Sequence, residues 1–223
     1  FSAAVYTVIF GRLAGIGTNG IPHLLFYYSS TMLWNYFAAC FTDTSNVFIN
    51  NVNLFGKVYF PRLTVPVSTI FSNLITTSVQ FAALVVLYFW FYFHNGSVKP
   101  QLSAFAFPLI FAWLAMLASG FGLLVTAITT RYRDLKQIVT FGLQLLMYAT
   151  PVVYPLSLAP EKYRWVFNIN PLCAPIELFR YWFFGAEAVS SITIISSLII
   201  TVFFFFLGLV MFNRNERTFV DVI

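Results

Sequence analysis

Long apolar runs separated by short polar stretches constrain this chain more than any other feature. A helix crosses the hydrocarbon of a bilayer in roughly 20 residues, and runs of that order recur at about 23–42, 66–93, 103–129, 136–155 and 189–212. In lipid the backbone must satisfy its own hydrogen bonds, so such runs fold as helices; barrel strands would instead alternate over about ten residues. Composition agrees: 60% of the 223 residues are hydrophobic, only 9% are charged, and the mean hydropathy is +0.83, whereas soluble domains are about one-quarter charged. The expected fold is all-α and integral to the membrane, a single multi-pass domain over 1–223. The net charge of +5 sits in loops and helix ends. It points to topology and lipid headgroups as its counterpart, not to nucleic acid.

Arg131, Arg133, Asp134 and Lys136 stand together at the junction of the 103–129 and 136–155 runs. Lys and Arg accumulate on the cytoplasmic side of short loops, so this cluster orients the chain. With it inside, the inner segments hold Lys57, Arg62, Arg131, Arg133, Lys136, Arg214 and Arg217, and the outer ones Arg12, Lys99, Lys162, Arg164 and Arg180. Three of the outer five lie in one long loop, where the rule discriminates less.

Phe1 to Phe10 is apolar but too short to cross, which reads as the second half of a first span whose start is missing. Gly11 to Gly20 reads as a glycine-rich turn after it. Thr42-Asp-Thr-Ser-Asn46 suits an N-cap, and Phe48, Val52 and Phe55 form a helical stripe ending at Gly56. The helix predicted over 45–57 is a surface helix, either lying in the headgroups or docking a cytoplasmic partner. Pro66 fits the opening turn of the third span. In the fourth, Ala115, Ala118, Ser119, Gly120 and Gly122 allow close helix approach. Between 159 and 187 the chain is too polar for another span, yet two short amphipathic helical patterns flank Asn168-Ile-Asn-Pro171, and Gly185 suits the end of the second. There Glu177 and Arg180 are three apart and able to pair, which lowers the cost of placing them near lipid.

No Gly-x-x-x-x-Gly-Lys-Ser/Thr phosphate loop and no metal-ligand spacing occur. His23 and His94 are separate interfacial residues, and Cys40 and Cys173 read as free thiols. The acids at 161, 177 and 187 share one loop, which argues against a proton relay through the spans. Energy for any transport would enter from a partner.

Three motif groups together resemble the membrane subunit of ABC-2 type transporters: Lys57-Val-Tyr-Phe-Pro-Arg62; Arg131-Tyr-Arg-Asp134 with Gln144 and Pro151-Val-Val-Tyr-Pro155; and Asn170-Pro171 with Phe179-Arg180. The closing Glu216-Arg-Thr-Phe-Val-Asp-Val-Ile223 is similar to the tail of the polysaccharide-export branch, the O-antigen, capsule and teichoic-acid permeases, with Val220 where that branch has alanine. The resemblance implies a six-span permease in the bacterial cytoplasmic (inner) membrane, homodimeric, with both termini cytoplasmic. Two copies of a separate ABC ATPase would bind ATP and Mg, this chain holding no cofactor. It also implies that the 45–57 helix, through Phe48, Val52 and Phe55, and the loop with Arg131, Arg133 and Asp134 touch the ATPase. The short helices of 160–185 resemble gate helices at the outer end of the channel, with Ile176, Glu177, Phe179 and Arg180 at their centre.

The implied cargo is a lipid-linked polysaccharide, which exposes hydroxyl rows and apolar ring faces. Its path should offer aromatic and neutral polar side chains. Two faces suit it: Tyr27, Ser30, Trp34 and Phe37 on the second span, and Phe141, Gln144 and Tyr148 on the fifth. The alternatives are export of a small drug or lipid, and a membrane scaffold for a glycan-assembly enzyme.

Overall fold

The computed structural model describes residues 2–50, 62–95, 101–129 and 135–219, and for 48, 49, 95 and 215–219 the backbone alone. Helix α1 (Ser2–Tyr6) continues as a π-helical segment, Thr7–Leu13. Helical backbone therefore passes through Gly11 and Arg12, where a turn was expected. Gly11 serves a close approach instead, since a Cβ there would lie 2.7 Å from the His23 ring.

Helix α2 (His23–Ser45) starts directly after Pro22 and runs beyond Thr42. Ser45 Oγ and Asn46 Nδ2 both donate to the Thr42 carbonyl, at 2.9 and 2.7 Å. The polar group expected to open the next helix does so, the Asn46 carbonyl accepting from Asn50 N–H at 2.9 Å, and it also closes this one, because the last carbonyls of a helix have no backbone partner. A short α3 (Val47–Asn50) follows. The rest of the expected 45–57 helix lies outside the described residues.

Next come α4 (Thr64–Asn95), a 3-10 turn at Leu102–Ala106, α5 (Phe107–Thr129) and α6 (Leu135–Ala149). Beyond α6 the chain forms α7 (Arg164–Ile169), α8 (Cys173–Phe184) and α9 (Ser191–Phe219), with no strand among the described residues. Thr64–His94, Leu102–Thr129 and Ser191–Arg214 are long and apolar enough to cross a membrane. Helix α2 has the length, at 23 residues, but carries Ser, Thr, Asn and Tyr along it. Helix α6 has only 15 residues, shorter than the expected 136–155 span; at ~1.5 Å per residue it covers about 22 Å of a ~30 Å hydrocarbon layer. Pro151 and Pro155 explain the early stop, since each lacks an N–H and disfavours helix in the residue before it.

Helix α5 is the axis of the bundle, with α2 and α9 packed on it, α4 against α2, and α8 meeting α2, α5 and α9 at one end. Between hydrocarbon and protein there is little hydrophobic gain, so contact depends on small residues and interhelical hydrogen bonds. Both are present. A Cβ on Gly120 would lie 2.7 Å from the Phe205 nitrogen, one on Gly208 2.5 Å from the Gly120 carbonyl, and one on Gly122 2.6 Å from Thr44 Cβ. The small residues of α5 are therefore packing surfaces, as their spacing suggests. Thr126 Oγ1 donates to the Thr44 carbonyl at 2.6 Å, Trp113 Nε1 to Thr201 Oγ1 at 3.0 Å, and Asn73 Nδ2 to Asp43 Oδ2 at 2.7 Å. These bonds tie α5 to α2, α5 to α9 and α4 to α2.

Candidate functional site

Helix α8 is built around a buried cation. It ends where the sequence requires: Gly185 adopts φ 68°, its N–H reaches the Tyr181 carbonyl, and Ala186 N–H reaches that of Arg180, a glycine-dependent helix stop. Cys173 to Arg180 is buried without a break, and so is Phe183. Arg180 Nη1 donates to Glu177 Oε1 at 2.8 Å, confirming the pairing that the i,i+3 spacing allows. Its other donors reach far along the chain. Nε and Nη2 bond Ser30 Oγ at 3.1 and 2.6 Å, and Nη2 also bonds the carbonyls of Pro151 and Val152 at 2.7 and 3.2 Å. The guanidinium lies 3.7 Å from the centre of the Phe26 ring. A buried charge is tolerable only when paired and fully hydrogen-bonded, and a planar guanidinium can bond several groups at once. Arg180 thus clamps α8 to α2 and to the turn after α6.

Asn170 reinforces that turn. Its Nδ2 donates to the Ala149 carbonyl at 3.1 Å and to Thr150 Oγ1 at 3.0 Å, while its Oδ1 accepts from Leu172 N. The short helices and the end of α6 are one connected unit.

The site residues expected from sequence separate into three groups. Ile176, Glu177, Phe179 and Arg180 come together, all buried, with Phe179 stacked on Phe183 at 4.6 Å. Tyr27, Trp34 and Phe37 are also buried, in the same core as Phe111, Ile176 and Phe179. Within the protomer these rings of the second span pack against the core, because α4, α5 and α8 all gather on α2. Tyr27 is fully buried and its hydroxyl has no hydrogen-bond partner among the described residues. Phe141, Gln144 and Tyr148 do the opposite. Helix α6 has no buried residue, and this stripe, with Ile138 and Leu145, is exposed.

The third group is the coupling set. Val52, Phe55, Arg131, Arg133 and Asp134 lie outside the described residues, and Phe48 belongs to α3 by its backbone. Ser30 and Asn170 gained roles that sequence did not assign; Ser30 was visible only as a small hydroxyl residue on an aromatic face. Cys40 and Cys173 are free and buried. Among the described residues no three His, Cys, Asp or Glu side chains gather in a way that could hold a metal.

Comparison with known proteins decides the family. The sequence pattern of the ABC-2 type transporter matches residues 1–184. The chain belongs to the ABC-2 type transporter family. It is 29% identical to the O-antigen export system permease protein RfbA of Klebsiella pneumoniae, with 99% of this chain and 83% of that protein aligned. A protein of the same name from Myxococcus xanthus is 25% identical over 71% of this chain and 58% of its own length. The inner membrane transport permease YadH of Escherichia coli K12 is 26% identical over 96% and 86%. These relatives are transport permeases rather than enzymes. The ABC-2 domain here is a membrane protein whose helices surround the α5 axis, with the Arg180 clamp at one end.

Proposed function

We propose that this chain is the membrane permease of an ATP-binding cassette exporter that moves a lipid-linked polysaccharide across the bacterial inner membrane. The observation carrying the reading is its likeness, along nearly the whole chain, to permeases named for O-antigen export. The exposed α6 stripe suits that cargo, since Phe141, Gln144 and Tyr148 offer two aromatic rings and an amide without charge. Two such stripes facing each other in a homodimer would form a path able to stack on sugar rings and bond hydroxyls. A single protomer leaves the stripe uncovered.

In this reading two ATPase copies bind ATP and Mg, and both termini and the Arg131 loop are cytoplasmic. Arg131, Arg133 and Asp134, with Phe48, Val52 and Phe55, meet the ATPase. Helices α7 and α8 lie at the outer end beside the exit, as gate elements anchored through Arg180. Export of a small drug or lipid is the second reading, favoured by the similar likeness to YadH, whose name specifies no polysaccharide. Transport relatives across almost the full chain favour both over a scaffold.

The test is co-purification of the chain with an ABC ATPase and measurement of surface glycan in cells lacking it. Loss of surface glycan, restored by the intact chain but not by Arg133→Glu, is the expected result. The Arg133→Glu complex should still assemble, with ATP turnover uncoupled from export. Normal surface glycan without the chain overturns the reading.

A further inference from the structure

The loop region between α7 and the start of α9 holds a polar cavity that the proposed path does not use. About 260 Å³ in volume, it lies among Asn19, Ser157, Arg164, Asn168, Glu177 and Glu187, at the start of α9. Its walls are held in place by bonds between distant parts of the chain. Asn19 adopts φ 51°, a left-handed conformation that asparagine tolerates better than most residues. Its amide and Ser157 Oγ bond each other in both directions, at 2.9 and 3.2 Å. Asn168 Oδ1 accepts from Thr193 Oγ1 at 2.7 Å, and its carbonyl accepts from Ser196 Oγ at 2.6 Å. Glu177 is 92% buried, from a relative exposure of 8%, and its Oε1 accepts from Arg180 and from the Leu156 N–H.

What these bonds leave over is informative. Glu177 Oε2, Asn168 Nδ2 and the Glu187 carboxylate have no hydrogen-bond partner among the described residues. Arg164 meets Glu161 only at 3.9 Å, with both side chains well exposed, a contact that fixes little. Donors and acceptors thus share one small space with the apolar side chains of Leu156, Ala188 and Val189. Its charges are mixed: Arg180 neutralises Glu177 at 2.8 Å, and the lining holds one further cation, Arg164, and one further anion, Glu187. A phosphate or a metal ion would need one sign of charge in excess, which these walls do not supply. The volume is just under the ~300 Å³ at which pockets begin to accommodate drug-sized ligands, leaving room for a single ring.

We propose that this cavity binds one neutral sugar residue, its vicinal hydroxyls shared between the carboxylates, the Asn168 amide and Arg164. It rests on the reading of the chain as a glycan permease and adds a second contact for that cargo, on each protomer and away from the α6 stripe. A sugar held there would sit against α8 through Glu177, and so against the Arg180 clamp.

The experiment uses the full chain with its ATPase partner in phospholipid nanodiscs. Saturation-transfer NMR is recorded with D-galactose, D-mannose, L-rhamnose and N-acetyl-D-glucosamine, and with inorganic phosphate as an anion probe. Saturable binding of at least one sugar is expected, weakened fivefold or more by Glu187→Gln and by Arg164→Gln, both exposed positions, with the melting temperature unchanged. Asn168→Asp, which keeps the acceptor for Thr193 but removes the amide donors, should weaken it as well. Absence of sugar binding, equal binding in all variants, or displacement of bound sugar by phosphate overturns the site. Surface glycan lost with the chain alongside absent sugar binding sinks the cavity alone; surface glycan retained without the chain sinks the permease reading itself.

Discussion

Helices α6 and α8 look alike as sequences, each a short amphipathic stretch with aromatic residues at helical spacing, yet the protomer treats them in opposite ways. Helix α8 buries Cys173 to Arg180 and gathers partners from α2, from the turn at 151–152 and from α9. Helix α6 has no fully buried residue and leans on the core only through half-buried Val139, Leu143, Leu146 and Met147, with Asn170 fastening its end. The difference shows that a stripe marks a face needing a partner without saying whether the partner is in the same chain. For α8 it is. For the outer stripe of α6, Phe141, Gln144 and Tyr148, the protomer supplies no cover, which is why the proposed path is put there and not on α2.

Arg180→Met should cause the largest loss, because it leaves Glu177 buried without its cation; breaking a buried pair costs about 3–5 kcal/mol. Thermal melting in detergent should show a marked drop, and the Glu177→Leu, Arg180→Met double variant should recover much of it. If the single variant melts like the wild type, α8 is not held by charge and the contrast with α6 fails. Gly120→Val tests the axis against both helices. Its Cβ would meet the α9 backbone near Phe205, which cannot move aside as a side chain can, and overpacking of this kind costs about 1–3 kcal/mol.

Phe141→Ala and Tyr148→Ala sharpen the comparison from the exposed side. Stability should stay within about 0.5 kcal/mol of the wild type, as for exposed positions generally, while export of glycan falls several-fold at equal protein level. A large drop in melting temperature would show that α6 is packed after all. The smallest effect belongs to Tyr27→Phe. Removing a buried hydroxyl with no partner should be neutral or stabilising by about 1 kcal/mol, with export unchanged, since Tyr27 packs rather than lines a path. A clear loss of export would return α2 to the conduit.

Much of this architecture was legible before any coordinates. Apolar runs gave helices and a membrane, because no other structure satisfies a backbone in lipid. Pro22 placed the start of α2, Gly185 the end of α8, and the spacing of Glu177 and Arg180 their ion pair. Local rules also misled in places. The prolines at 151 and 155 were visible, yet the run of 136–155 was expected as one span; the helix stops at Ala149. Thr42 to Asn46 has cap chemistry that serves either end of a helix, and the structure uses it for both, closing α2 and opening α3.

By itself the sequence determined what is local or periodic: the helices, their turns, the crowding of small residues on α5, and the ability of two side chains one turn apart to meet. Only the tertiary structure decided that Arg180 reaches Ser30, 150 residues away, and that Tyr27, Trp34 and Phe37 turn inward while Phe141 and Tyr148 remain outside. The physical reason lies in the solvent. In water, apolar residues mark the inside; in a bilayer the surroundings are as apolar as the core. Which aromatic face is buried therefore depends on small residues and interhelical hydrogen bonds contributed by other helices.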